Sequence, residues 1–272
     1  MTTVWVNGVE SGQVMPFDRG LAYGDGLFAT MRVKHHEILF LAAHLQRLSQ
    51  GAKRLGFNWQ ASQTLQERLI QQAISIGQGC IKLLLTRGCG GRGYAAPIET
   101  QITEVVSVHP IPEHYQHWQQ QGISLISSDV MLGRQPRLAG IKHCNRLEQI
   151  FIKSTPLPLG FDDYLVLDEQ GLVIESSMAN LFFVDNHQAI YTPALTHCGV
   201  AGMMREQVMH GVLTLGYSVN VTPISLNQLA DFSAAFVTNS LMGVVDVIRI
   251  NDMTMNKHPL THTLRTALDL AL

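Results

Sequence analysis

Only six lysines occur in the 272-residue chain, Lys34, Lys53, Lys82, Lys142, Lys153 and Lys257, and one of them keeps unusual company. Lys142 lies in Leu138-Ala139-Gly140-Ile141-Lys142-His143-Cys144-Asn145-Arg146, an apolar approach with a glycine that leads into a predicted helix. Partial desolvation favours the neutral form of an amine, and a neutral amine is what a Schiff base or a general base requires. On composition alone a structural lysine that snorkels to water is the alternative.

Three further segments add chemistry of a compatible kind. Arg47, in Ala43-His44-Leu45-Gln46-Arg47-Leu48, sits on a predicted helix with a forked donor set suited to phosphate; the alternative is an ordinary surface arginine. Glu175 lies between the apolar Val173-Ile174 and the small-polar Ser176-Ser177. A buried acid there needs a cationic partner such as a protonated pyridine nitrogen, whereas a strand-end glutamate in water needs none. Gly199-Val200-Ala201-Gly202-Met203-Met204-Arg205 puts small residues at a helix start, where free N–H groups bind phosphate; an ordinary helix start reads the same way. Each signal is weak singly, and the order arginine, lysine, glutamate, glycine-led helix is what gives them weight.

Two other patterns point away from their usual chemistry. Gly88-Cys89-Gly90-Gly91-Arg92-Gly93 has the spacing of a dinucleotide fingerprint, but Tyr94-Ala95-Ala96-Pro97 and a strand follow where a helix must begin. It reads as a glycine-rich hairpin loop carrying Arg87, Arg92 and Tyr94. Histidines are plentiful, yet His109, His114 and His117 cluster near prolines, His258 and His262 flank Pro259, and no H-E-x-x-H set exists, so no metal site is expected.

The elements that must hold these residues follow from hydrophobic period and turn signals. Thr3–Val6, Asn7-Gly8 and Val9 predict a hairpin, and Phe28–Val33 with Glu37–Phe40 a second around His35-His36. Amphipathic helices are predicted over 42–55, closed by Gly56, and over 61–76, followed by strands over 80–87 and 102–109. His109-Pro110-Ile111-Pro112 breaks regular structure. Beyond it come a strand over 123–128, a short helix over 145–153, a strand meander over 164–192 and a helix after Gly202. A short helix near 226–230, two strands and a helix from Leu260 end the chain. Strands bunched together predict an α+β protein rather than a doubly wound sheet.

Composition sets outer limits. With 46% hydrophobic and 15% charged residues, the chain is too apolar to be disordered. A net charge of −2 with no basic block excludes a partner bound through nucleic-acid phosphates. No apolar run reaches the roughly 18 residues of a membrane span. The four cysteines are widely spaced and no signal peptide is legible, so a cytoplasmic protein is expected.

The strings Phe17-Asp18-Arg19-Gly20, Tyr23-Gly24-Asp25-Gly26-Leu27-Phe28, Thr86-Arg87-Gly88-Cys89-Gly90-Gly91-Arg92-Gly93-Tyr94 and Leu138 through Glu148 give the chain a family resemblance. Along essentially its whole length it resembles the class IV aminotransferase family, the fold-type IV enzymes of pyridoxal 5′-phosphate. The R-G-x-G-G-R-G-Y string points to the members that act as lyases on 4-amino-4-deoxychorismate, releasing pyruvate and 4-aminobenzoate for folate synthesis. A branched-chain or D-amino-acid aminotransferase is the alternative.

The resemblance implies a small N-terminal α/β sandwich domain over 1–108, a proline-containing linker over 109–121 and a C-terminal cofactor domain with a barrel-like sheet over 122–272. It further implies a homodimer with the cofactor between the domains. Lys142 is similar to the lysine that joins the cofactor covalently, and Glu175 to the partner of the pyridine nitrogen. Arg47 and the N–H groups of Met203 and Met204 match the phosphate cup. Many relatives place a threonine hydroxyl where Met204 stands, so only its backbone is expected to serve. Asn239 and Ser240 match a stretch near the cofactor. Thr30, or Lys142 itself, is expected to protonate the leaving group, and Arg92 and Tyr94 to bind substrate carboxylates.

Overall fold

A computed structural model describes residues 3–272, which pack as two compact units. One takes in residues 3–112 and Ile141–Asn145, the other Glu113–Gly140 and Arg146–Leu272.

In the first unit the strands are β1 (Val4–Val6), β2 (Val9–Glu10), β3 (Gly26–Lys34), β4 (Glu37–Ile38), β5 (Gly79–Thr86) and β6 (Thr103–His109). The helices are α1 (Arg19–Tyr23), α2 (Leu41–Leu55) and α3 (Gln63–Ile76). The sheet order is β2-β1-β6-β5-β3-β4. Both predicted hairpins form: Val6 faces Val9 across Asn7 and Gly8, which have φ of 48° and 85°, and Val33 faces Ile38 across His35 and His36.

The period of two in β3 and β5 sorts side chains onto two faces. Leu27, Ala29, Met31 and Val33, with Ile81, Leu83 and Leu85, are buried in one cluster with Leu48 and Ala52 of α2 and Leu65, Leu69 and Ala73 of α3. Phe28 and Thr30, with Lys82 and Leu84 paired opposite, form the other face and stay half-buried.

One polar group enters the helical layer of this unit. His44 of α2 is fully buried, and neither ring nitrogen has a hydrogen-bond partner. Burial, reinforced by the nearby Arg47 guanidinium, pushes its pKa from 6.5 down to about 3. The unfolded chain therefore takes up a proton in that window that the folded chain refuses. This proton linkage takes nothing from stability above pH 6.5, and stability falls as the pH drops toward 3. The slope from this one group is at most about 1.4 kcal/mol per pH unit. Urea unfolding of His44→Leu should show a shallower loss between pH 6.5 and pH 4.5 than the native chain. Parallel acid limbs would contradict that assignment.

In the second unit the strands are β7 (Ile123–Ser127), β8 (Asp163–Leu167), β9 (Val173–Ser176), β10 (Asn180–Asp185), β11 (Ile190–Pro193), β12 (Val219–Thr222), β13 (Phe232–Asn239), β14 (Gly243–Ile250) and β15 (Met253–Thr254). The helices are α4 (His114–Gln121), α5 (Leu147–Ser154), α6 (Met203–Thr214) and α7 (Pro259–Ala267), and Asn227–Asp231 forms a 3₁₀ turn.

The sheet runs β12-β11-β10-β13-β14-β7-β8-β9, and β9 also pairs with β10. That pairing closes six strands, β9, β10, β13, β14, β7 and β8, into a barrel. Residues 181–184 of β10 are buried without alternation, and α6 and α7 pack against the neighbouring β13 and β14. Phe182 and Phe236 stack there, centroids 4.9 Å apart.

Residues 114–121, expected in the linker, are instead helical, with Tyr115, Trp118 and Gln119 buried. Gln119 donates to the carbonyls of Met242 and Leu270, both at 2.8 Å. The flanking prolines end β6, but α4 belongs to the second unit's packing.

Candidate active site

The Lys142 string forms no strand of its own; it adds a short antiparallel rung to the free edge of β3. The Phe28 N–H donates to the Lys142 carbonyl at 3.0 Å, the Cys144 N–H to the Gly26 carbonyl at 2.9 Å, and Leu27 faces His143. With this register Lys142 lies opposite Phe28, so both side chains project from the face that α2 and α3 leave open. Ile141 is buried on the helix side, where a methyl group on Gly51 of α2 would lie 3.7 Å from it.

The Lys142 Nζ lies 4.7 Å from the centre of the Phe28 ring. A second amine, Lys82 Nζ, lies 4.9 Å from the same ring. Thr30 pairs directly with Lys82, which puts its hydroxyl on this face as well. Arg47 reaches the same strand from α2, donating to the Phe28 carbonyl at 3.4 Å. The first unit thus gathers Lys142, Thr30 and Arg47 around Phe28. Lys82 and Phe28 were not singled out by sequence reasoning, although the period of β3 and β5 would have put both on Thr30's face.

In the second unit Glu175 of β9 is 6% exposed, so it is a buried carboxyl group rather than a strand end in water. Its Oε2 accepts the Val200 N–H at 2.9 Å. Asn180 of β10 continues the tether, donating to the Val200 carbonyl at 2.7 Å and accepting the Gly202 N–H at 3.1 Å. Gly140 pairs with the same segment through Gly199 and Ala201. These contacts fix the chain entering α6. A Cβ at Gly202 would come within 2.2 Å of the Asn180 carboxamide oxygen, so a larger residue would have to displace that tether.

No side chain caps α6. Met203 and Met204 bury their side chains against the second unit's core. Asn239 is engaged differently. Its side-chain oxygen accepts the N–H groups of Leu241 and Met242, both at 2.9 Å, so it builds the turn between β13 and β14 that carries Ser240.

Arg92 and Tyr94 lie in the loop between β5 and β6, and both are exposed. The loop contains no helix, so the dinucleotide reading of its glycines has no structural support. Arg87, at the loop's start, is buried. It grips Asp25 at 2.7 and 3.2 Å and the carbonyls of Leu55 and Gly56 at the end of α2. Burial alone would raise the Asp25 pKa, but Arg87 and Arg19 together hold it below the usual carboxylate value. Among the described residues no group of three or more His, Cys, Asp or Glu side chains could hold a metal ion. Among the described residues no helix is long and apolar enough to cross a membrane.

Comparison with known proteins bears on the whole chain. The family model for amino-transferase class IV matches residues 26–250. The chain belongs to the class IV aminotransferase family.

An aminodeoxychorismate lyase of Vibrio harveyi is 36% identical over 247 residues, 91% of each chain. A D-alanine aminotransferase of Bacillus licheniformis is 27% identical, over 92% of this chain and 89% of its own. The crystal structure of 4-amino-4-deoxychorismate lyase from Pseudomonas aeruginosa superposes with a TM-score of 0.93 at 34% identity, covering 99% of this chain and 100% of that one. The α+β architecture with its closed barrel is the class IV fold, and pyridoxal 5′-phosphate is the cofactor of the class IV family.

Proposed function

We propose that this protein is a pyridoxal 5′-phosphate-dependent lyase that converts 4-amino-4-deoxychorismate to 4-aminobenzoate and pyruvate. The observation that carries this choice over amino transfer is the match, across nearly the full length of both chains, to lyases at 36% and 34% identity, against 27% for the aminotransferase.

The residues present fit the cofactor. Glu175 is a buried carboxylate, which a pyridinium nitrogen would neutralise. The glycine-led, uncapped start of α6 offers the N–H groups of Met203 and Met204 to a phosphate, and Arg47 adds a guanidinium. Ser240 and the Asn239 turn serve as a border of the same group. Lys142 supplies the amine that joins it covalently. When bound, the cofactor contributes an aldehyde for amines to condense with and a protonated ring that accepts an electron pair.

The remaining work belongs to side chains. Lys142, displaced by the substrate amine, removes the proton from ring carbon C4. Loss of the C3 enolpyruvyl oxygen completes an aromatic ring, which supplies the driving force. The Thr30 hydroxyl donates a proton to that oxygen, and the released enol becomes pyruvate. Arg92 and Tyr94 bind the two carboxylates, Arg92 through paired N–H donors. Lys82, one strand from Thr30, adds positive charge for the same anions.

The lyase works as a cytoplasmic homodimer. In support, Leu147, Ile150 and Phe151 form an exposed apolar stripe on α5, as do Phe17 and Leu21 before and within α1.

Incubating the purified protein with 4-amino-4-deoxychorismate should release pyruvate and 4-aminobenzoate in equal amounts. Efficient transfer from an amino acid to 2-oxoglutarate, with no 4-aminobenzoate formed, would overturn the proposal.

A further inference from the structure

The loop between β5 and β6 has neither helix nor strand to shape it, yet a buried cation organises it. Arg19, 4% exposed, directs its guanidinium at three consecutive residues: Nη1 donates to the carbonyls of Gly93 at 3.3 Å and Ala95 at 3.2 Å, and Nη2 to that of Tyr94 at 2.9 Å. Its Nε donates to Asp25 at 2.8 Å, the same carboxylate that Arg87 grips, so one acid anchors both guanidinium groups.

Tyr23, one turn along α1, adds two contacts. Its hydroxyl accepts the Gly93 N–H at 3.2 Å, and its ring meets that of Tyr94 edge-on at 5.5 Å. The base of the loop is fastened separately, by Asp18 accepting the hydroxyls of Thr86 and Thr103 at 2.8 and 2.7 Å.

Two loop glycines divide on this point. A Cβ at Gly90 would lie 2.9 Å from Arg19 Cδ, whereas one at Gly91 would meet nothing within 4 Å. Gly90 is the position that lets the arginine pass beneath the loop.

We infer that Arg19 is a positioning residue for substrate binding: by drawing the carbonyls of residues 93–95 onto one guanidinium it fixes how Arg92 and Tyr94 are presented to the substrate's carboxylates. The inference rests on the reading of this loop as the carboxylate-binding element. Lysine at position 19 keeps the charge beside Asp25 but cannot span three carbonyls, and alanine at position 90 pushes on the latch without altering any charge.

Both variants, prepared as holoenzymes, are compared with wild type and Gly91→Ala. Trypsin cleavage after Arg92 reads how readily the loop leaves the latch to fit the protease's active site. Arg19→Lys and Gly90→Ala should speed that cleavage about tenfold or more and raise KM for 4-amino-4-deoxychorismate by a similar factor, the loss expected for charge-assisted hydrogen bonds. Their kcat and cofactor absorbance should stay near wild type, and Gly91→Ala should match wild type throughout.

Unchanged cleavage in both variants would refute the latch. Faster cleavage with an unchanged KM, while Arg92→Ala raises KM, would refute the positioning role and leave the substrate reading standing. An unchanged KM in Arg92→Ala as well would remove the substrate reading and the inference with it.

Discussion

Lys142→Ala should lower pyruvate release by at least about 10⁴-fold, because in the proposed mechanism one substitution removes both the covalent anchor and the general base. The loss should be chemical rather than structural. Lys142 is half-buried, and its side chain contributes a cation–π contact with Phe28 worth about 0.5–1 kcal/mol. The rung that positions it uses backbone groups, which alanine retains. The variant is therefore expected to unfold at nearly the native urea concentration while turning over no substrate. Turnover near wild type would remove Lys142 from the mechanism, and gross destabilisation would show that its side chain serves the fold.

Glu175→Gln should lower kcat by about 100-fold or more, the scale on which removal of a preorganised electrostatic group is felt. The amide keeps an oxygen for the Val200 N–H, so the segment entering α6 should stay in place. What disappears is the negative charge that would hold a proton on the pyridine nitrogen. A changed visible spectrum of the bound cofactor should accompany the slower turnover, with KM little altered. A variant with native kcat and spectrum would separate Glu175 from the cofactor and leave it only the tether to Val200.

Much of this arrangement was legible in the sequence, for identifiable reasons. The Asn7-Gly8 turn, the Gly56 stop and the alternation of β3 are local signals, and local physics decides them. Glu175 and Gly202 stood out because a lone acid beside an apolar strand and small residues before a helix are constraints visible in a few residues. Lys82 and Phe28 escaped notice because their importance comes from register: only the pairing of Thr30 with Lys82 and of Phe28 with Lys142 brings two amines to one ring.

Arg19 escaped for a related reason. It joins loop carbonyls more than 70 residues away, and no spacing in the sequence announces that bond. The helix α4 was hidden by the prolines beside it, which mark a break before 113 but say nothing of the residues after it. Its amphipathic character becomes evident only once Trp118 and Gln119 are seen buried.

The central claim concerns which amine carries the cofactor, and Phe28 has two within reach of its ring. Borohydride reduction of the holoenzyme, followed by proteolysis and mass analysis of the labelled peptide, distinguishes them directly. The account predicts bleaching of the visible band and the cofactor's added mass on Lys142 alone. Added mass on Lys82, or on any other lysine, would contradict it.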